Sequence, residues 1–140
     1  YGDGFFYTKY DKPEAGRDLS AKNGNGKLYY HKLGEPQSAD KLIFDDPKNP
    51  THRFGASVTD DEKYLVITVT EGTSGNRLYC RELGNDKAEL IKIVDNFDSD
   101  FSVIDHVNGQ LIVLTNHKAP RYRLLVKAGR KRLDYPYSRN

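Results

Sequence analysis

The sequence predicts an all-β fold made of consecutive four-stranded antiparallel blades of a β-propeller, with about three blades in 140 residues. Two similar segments, residues 27–34 and 77–84, share four identical residues and lie 50 positions apart. A repeat of this period, built from short alternating apolar runs, is typical of propeller blades. Turn residues divide the rest of the chain into strand-length runs, and no segment has a convincing helical pattern.

Ten segments have the composition of strands, in groups of three, four and three. They cover residues 5–10, 28–33, 41–44, 54–58, 64–70, 78–83, 90–94, 101–106, 111–115 and 122–127. The fifth is apolar or threonine at nearly every position, which predicts burial on both faces. Asn108-Gly109, between the eighth and ninth, is a strong hairpin signal. We therefore expect one complete blade between two incomplete ones.

Composition places the chain among soluble globular proteins, with 36% hydrophobic residues and a net charge of +2. No apolar run approaches the length of a membrane span, and no signal peptide is recognisable, so a cytoplasmic or a periplasmic location remains open. The lone Cys80 excludes an internal disulfide framework and is expected to be a small packing residue. Because the chain opens at Tyr1 and contains no methionine, we expect it to be a piece of a longer protein.

Positive charge is concentrated near the end of the chain, where residues 121–140 contain seven Lys or Arg and one acid. Such a segment either contacts nucleic acid or an acidic surface, or is a solvated end. The second interpretation is favoured, so no nucleic-acid partner is expected. We divide the chain into a partial propeller at residues 1–126 and a basic tail at 127–140.

Four segments together resemble the propeller domain of prolyl oligopeptidases. They are FGASVTDDEKYLVI at 54–67, TEGT and NRLY within 70–79, KLYYHKLG at 27–34 with Gln37-Ser38, and TNHKAPRYRL at 115–124. They occur in the family's order, and the resemblance extends over roughly residues 4–126. The basic tail departs from the family pattern.

The resemblance implies a parent serine peptidase that cleaves short proline-containing peptides after proline. Its α/β-hydrolase domain, the expected partner of this chain, would carry the catalytic Ser, Asp and His. Its seven-bladed propeller would admit substrates by size. Carried over by position, substrate-pocket residues fall at Arg53 or its neighbour Phe54 and at Thr73.

Catalytic and metal-binding patterns are not recognisable in the sequence. The run closest to a nucleophile elbow, Gly72-Thr73-Ser74-Gly75-Asn76, has its second glycine one place too early. The four histidines lack the clustered spacing of a metal site, and no cofactor is expected. We therefore predict that this chain alone has no peptidase activity. Because its terminal blades would have uncovered apolar faces, we also expect it to self-associate or to fold poorly in isolation.

A stand-alone β-sandwich or small barrel that binds glycans or protein partners is the alternative, since alternating patterns do not separate it from propeller blades. The order of the strands in each sheet distinguishes the propeller from the sandwich. Sequential meanders favour the propeller, whereas Greek-key crossings between two sheets favour the sandwich.

Overall fold

A computed structural model describes residues 1–12, 15–16 and 24–128. In this part of the chain ten strands form three antiparallel sheets, which we call blades 1, 2 and 3. Blade 1 contains β1 (Gly4–Lys9), β2 (Lys27–Lys32) and β3 (Lys41–Asp45), with a 3₁₀ turn at Gln37–Ala39. Blade 2 contains β4 (Arg53–Val58), β5 (Tyr64–Thr70), β6 (Arg77–Glu82) and β7 (Ile91–Val94). Blade 3 contains β8 (Phe101–Val107), β9 (Gln110–Thr115) and β10 (Arg123–Ala128).

The predicted grouping of three, four and three strands is confirmed, and every predicted boundary lies within one residue of the observed one. In all three sheets the neighbouring strands are consecutive in sequence. The alternative of a β-sandwich is therefore wrong, because its Greek-key connections place non-consecutive strands side by side. Asn108 and Gly109 join β8 to β9 with φ of 51° and 75°, the positive values that a two-residue type I′ turn requires.

The two copies of the sequence repeat occupy equivalent positions. Leu28 on β2 pairs with Phe44 on β3, and the register shifts between residues 28 and 29. Leu78 on β6 pairs with Val94 on β7, and the register shifts at the same point of the repeat. Both leucines are fully buried. The strands of blade 1 thus correspond to the second, third and fourth strands of blade 2.

Blade 2 is buried on both faces because it lies between blades 1 and 3. Successive residues of its strands point to opposite sides of the sheet and therefore enter different cores. On β5, Leu65 and Ile67 belong to a core shared with Leu28 of blade 1. Val66 points the other way, into a core that includes Val113 of blade 3. The uninterrupted apolar sequence of β5 therefore serves two interfaces, as predicted.

The sheets approach each other near one edge. The backbone of β4 lies close to β1 and β2, and that of β8 lies close to β6, whereas β3 and β7 meet the next blade mainly through side chains such as Phe44 and Ile93. The first strands of blades 2 and 3 are thus nearest to the preceding blade, and we infer that β4 and β8 form the inner side of the blades. Between its ends, β4 contains three small exposed residues, Gly55, Ala56 and Ser57.

Polar contacts also join blades 2 and 3. The Asn76 side chain donates to the Phe101 carbonyl oxygen at 3.0 Å and accepts from the Phe101 N–H at 2.8 Å. His106 on β8 contacts Asp61 in the β4–β5 turn at 2.5 Å between Nδ1 and Oδ2. The hydrogen bond with His106 is the main cause that lowers the pKa of Asp61 to about 2. Both contacts fix blade 3 against blade 2.

The outward faces of the terminal blades remain exposed. On blade 1, Phe5 and Leu42 are 48% and 50% exposed, and on blade 3, Leu124 and Val126 are 59% and 58% exposed. These fractions contrast with the almost complete burial of apolar residues between blades.

The proposed division of the chain at residue 126 stays a prediction, because residues 129–140 lie outside the described part. Among the described residues, no helix has the length and apolarity needed to cross a bilayer.

Candidate functional site

A set of loops gathers at the end of the blades where β4 begins and β5 ends. Because the strands are antiparallel, Arg53 at the start of β4 pairs with Thr70 at the end of β5, and Val69 pairs with Arg77 at the start of β6. We use the term loop rim for residues 46–53, 71–76 and 95–100. The predicted site residues Arg53 and Thr73 both belong to it.

Arg53 and Thr73 are brought to the same part of the loop rim. The Arg53 side chain is exposed, and its Nη2 donates to the carbonyl oxygen of Gly72 at 2.9 Å, next to the exposed Thr73. The guanidinium therefore supports the loop that carries Thr73 and leaves that side chain open to solvent. Substrate contact at these two positions stays a prediction.

Phe54 has a different environment from its neighbour. Its side chain is only 7% exposed and packs edge-on against Phe44 at 4.9 Å, within the core between blades 1 and 2. Alternation along β4 explains the difference, because adjacent side chains leave a strand on opposite faces. A part of Phe54 in a substrate pocket stays a prediction.

The shape of residues 71–76 depends on a close approach to the following loop. Gly75 has φ of +75°, and a Cβ atom at this position would lie 1.8 Å from the carbonyl oxygen of Phe97. Its N–H donates to Asp100 Oδ1 at 2.7 Å, and Asn116 donates to Asp100 Oδ2 at 2.8 Å. Glycine is thus required by both the backbone angle and the space.

A charged and aromatic cluster joins β6 to residues 95–97 of the loop rim. Tyr79 donates to Asp95 Oδ1 at 2.5 Å, and Arg77 lies 4.6 Å from the centre of the Phe97 ring. Burial raises the pKa of Tyr79 to about 12, with a further contribution from its bond to Asp95. Partial burial alone would raise the pKa of Asp95, but the bond from Tyr79 and the charges of Lys92 and Arg77 outweigh it and lower that pKa. The carboxylate therefore remains ionised as an anchor for the loop.

His52 is a residue of the loop rim that the sequence analysis did not select. Its side chain is 4% exposed, and its ring packs edge-on against Phe97 at 5.2 Å. Asp46 and Glu71 lie on either side of it, with separations of 3.6 and 3.8 Å from the two ring nitrogens. A histidine preceding a strand gives no sequence signal of this kind, because its two acidic neighbours come from different loops.

Ser99 and His117 form a contact that needs separate consideration, since serine and histidine are two members of a hydrolase triad. Ser99 Oγ lies 3.1 Å from His117 Nδ1. Partial burial lowers the pKa of His117, the positive charges of Lys118 and Arg123 lower it further, and together they outweigh the opposite effect of Asp98. A triad has the opposite electrostatics, because its carboxylate stabilises the imidazolium. We therefore interpret this pair as a contact between two loops.

Metal-binding chemistry has no candidate site among the described residues, where no group of three His, Cys, Asp or Glu is suitably placed. The arrangement can instead offer neutral and cationic hydrogen-bond donors at an open loop edge.

Sequence and structure comparisons agree on the family. The model of the prolyl oligopeptidase N-terminal β-propeller domain matches residues 1–132. The chain belongs to the prolyl oligopeptidase family. A prolyl endopeptidase of Elizabethkingia meningoseptica is 44% identical over 123 residues, which cover 88% of this chain and 17% of the relative. Prolyl oligopeptidase A of Amanita bisporigera is 34% identical over 134 residues, covering 87% of this chain and 17% of the relative.

The fold is likewise that of a prolyl oligopeptidase propeller. Prolyl oligopeptidase B from Galerina marginata, in a structure with a 35mer hydrolysis and macrocyclization substrate, superposes with a TM-score of 0.79 at 27% identity. The match covers 89% of this chain and 18% of that protein. The present chain thus spans about a sixth of the length of the prolyl oligopeptidases that it matches, and its three sheets correspond to part of a prolyl oligopeptidase propeller.

Proposed function

We propose that this chain is the propeller part of a serine peptidase that cleaves short peptides after proline, and that it limits access to the catalytic site by substrate size. The observation that carries the proposal is the collinear match to a prolyl endopeptidase over 88% of the chain. In this account an α/β-hydrolase domain of the same protein holds the triad, and these blades perform no bond cleavage.

Tight blade packing supports a steric role. The two cores between blades contain fully buried side chains such as Leu28 and Val113, so the sheets cannot separate without exposing apolar surface. The inner strand β4 has only small exposed residues between its ends. In a closed ring of such blades around a central channel, we expect a rigid inner surface to admit a flexible peptide and to exclude a folded protein.

The loop rim supports a second, more local role. Arg53 and Thr73 offer exposed hydrogen-bond donors, and the contact between Arg53 and Gly72 keeps them together. We propose that these residues contact the peptide where the propeller meets the hydrolase domain.

A chimera tests both roles. The segment of the Elizabethkingia meningoseptica enzyme that aligns with this chain is replaced by the present sequence, and assembly is verified by circular dichroism and size-exclusion chromatography. We expect the chimera to cleave a short proline peptide and a 35-residue peptide, the length bound by the Galerina marginata neighbour, but not a folded protein with an exposed proline loop. The isolated chain should cleave none of them.

Variants of the chimera separate the loop rim from the general fold. Arg53→Ala and Thr73→Ala should raise KM for the short peptide, whereas Lys87→Ala, an exposed residue in the loop before β7, should not. An assembled chimera without activity, or one that cleaves the folded protein as fast as the peptide, would refute the proposal.

A further inference from the structure

His52 is a buried histidine between two acidic loops. It directly precedes β4, and its side chain is 4% exposed, while those of Asp46 and Glu71 are 22% and 59% exposed. Asp46 belongs to the loop that leaves blade 1, and Glu71 belongs to the loop between β5 and β6 of blade 2. A single ring thus lies between the two blades at the loop rim.

The distances indicate ion pairing without complete hydrogen bonds. His52 Nδ1 lies 3.6 Å from Asp46 Oδ2, and Nε2 lies 3.8 Å from Glu71 Oε1. Nδ1 is buried and has no hydrogen-bond partner in the described part of the chain. A buried polar atom without a partner is unfavourable, so a small closing movement toward Asp46 would be stabilising.

The protonation state of the ring determines how many loops it can hold. A protonated imidazole has an N–H on both nitrogens, whereas a neutral imidazole has one. Only the charged ring can therefore donate to Asp46 and Glu71 at the same time. Such charge-assisted bonds are about twice as strong as neutral ones.

The remaining surroundings of His52 do not compete for these bonds. The ring edge meets the Phe97 ring, and the Arg77 guanidinium lies over Phe97 at 4.6 Å from its centre. Asp46 Oδ2 also accepts from the Asn49 side chain at 2.8 Å, which fixes the first carboxylate. Within the described part of the chain, no hydrogen bond of this kind fixes the exposed Glu71 side chain in its loop, so Glu71 is the partner that His52 can order.

We propose that His52 is a positioning residue whose protonated form fastens residues 71–76 to residues 46–52, and thereby holds Thr73 and Arg53 in their places at the loop rim. Neutral His52 releases Glu71, and the loop that carries Thr73 becomes less ordered. The link to substrate affinity rests on the proposed function of the loop rim, but the fastening of the loop does not.

Nuclear magnetic resonance of the assembled chimera, labelled within the present sequence, tests the fastening without any activity assay. The ring signals of His52 and the amide and methyl signals of Thr73 are followed across the pH range in which histidines titrate. We expect the Thr73 signals to change with the same midpoint as the His52 ring, and the change to vanish in Glu71→Gln and His52→Gln. The control Glu89→Gln, at an exposed position in the loop before β7, should retain it.

Amide exchange supplies a second measurement on the assembled chimera. The Asn76 N–H, which donates to the Ser99 carbonyl oxygen at 3.0 Å, reports the order of the loop. After correction for intrinsic exchange, protection should be about tenfold greater when His52 is charged, as expected for one charge-assisted hydrogen bond. Equal protection on both sides of the His52 midpoint, or a pH response that persists in Glu71→Gln, would overturn the proposal.

Kinetics of the same chimera test the link to substrate. KM for a short proline peptide should rise about tenfold as His52 loses its proton, with kcat changing less, and Glu71→Gln should remove this dependence. An inactive chimera with a normal Thr73 titration would refute the proposed function and leave the fastening supported. A titrating Thr73 with a KM that does not follow it would overturn the link between the loop and substrate.

Discussion

Replacement of either repeat leucine by alanine should destabilise the chain by a similar and large amount. Leu28 and Leu78 are both fully buried, the first in the core between blades 1 and 2 and the second in the core between blades 2 and 3. Loss of a buried leucine side chain typically costs about 3–5 kcal/mol, because transfer and cavity effects add. Leu33, which lies in the same repeat but is 64% exposed, is the matched control, and Leu33→Ala should cost less than about 0.5 kcal/mol.

Urea unfolding measures the difference. Tyrosine fluorescence and far-ultraviolet circular dichroism report the transition, since the chain contains ten tyrosines and no tryptophan. With an m-value of about 2 kcal/mol/M, a loss of 3–5 kcal/mol lowers the midpoint by roughly 1.5–2.5 M. The two substitutions lie in different cores, so their effects should add in the double variant to within about 0.5 kcal/mol.

The result that would refute this reasoning is a Leu28→Ala variant as stable as Leu33→Ala. It would mean that blade 1 does not pack on blade 2 as the structure has it. A large effect at Leu28 without one at Leu78 would do the same for blades 2 and 3.

Three further predictions concern the turns, the contact between blades and the exposed faces. Gly75→Ala should cost at least twice as much stability as Gly84→Ala. Both positions have positive φ, which costs about 1–2 kcal/mol for alanine, but only at Gly75 would the Cβ atom also lie 1.8 Å from a carbonyl oxygen. Stability should fall as the pH decreases from about 4 to about 2, because the pKa of Asp61 is lowered from 3.8 to about 2 in the folded state. In urea unfolding, Asp61→Asn should reduce the dependence of the unfolding free energy on pH in this range. Sedimentation should detect self-association of the isolated chain, and either Leu124→Lys or Phe5→Lys should suppress it. A mixture of the two variants should form heterodimers, because one variant keeps the exposed face of blade 1 and the other keeps that of blade 3.

Each of these has a contrary outcome. Equal losses for the two glycine variants would mean that the close approach in the loop rim is not present. An unchanged acid slope in Asp61→Asn would show that the contact with His106 contributes nothing to stability. A compact monomer with a sharp thermal transition would contradict the prediction of association, and variants that fail to combine would exclude a head-to-tail arrangement.

Sequence patterns were sufficient for the strands because local chemistry decides them. The β-branched run of β5 and the Asn108-Gly109 turn each carry their own signal within a few residues. The repeat at Leu28 and Leu78 also predicted their equivalent places, since equal spacing in successive blades gives equal burial.

Contacts between blades could not be read in the same way. His106 and Asp61 are 45 positions apart, and Asn76 and Phe101 are 25 positions apart. Their pairing depends on how two sheets face each other, which no local pattern encodes. For the candidate site, the resemblance to the family selected Arg53 or Phe54 and Thr73. It could not show that Arg53 is exposed and Phe54 is buried. His52 was missed because its acidic partners belong to two separate loops.

Blade 2 lies between blades 1 and 3, and adjacent residues of β5 enter opposite cores. Methyl-to-methyl nuclear Overhauser effects test it most directly. We expect contacts that link Val66 to the core containing Val113, and contacts that link Ile67 to the core containing Leu28. Val66 and Ile67 signals that both connect to the same neighbouring sheet would contradict it.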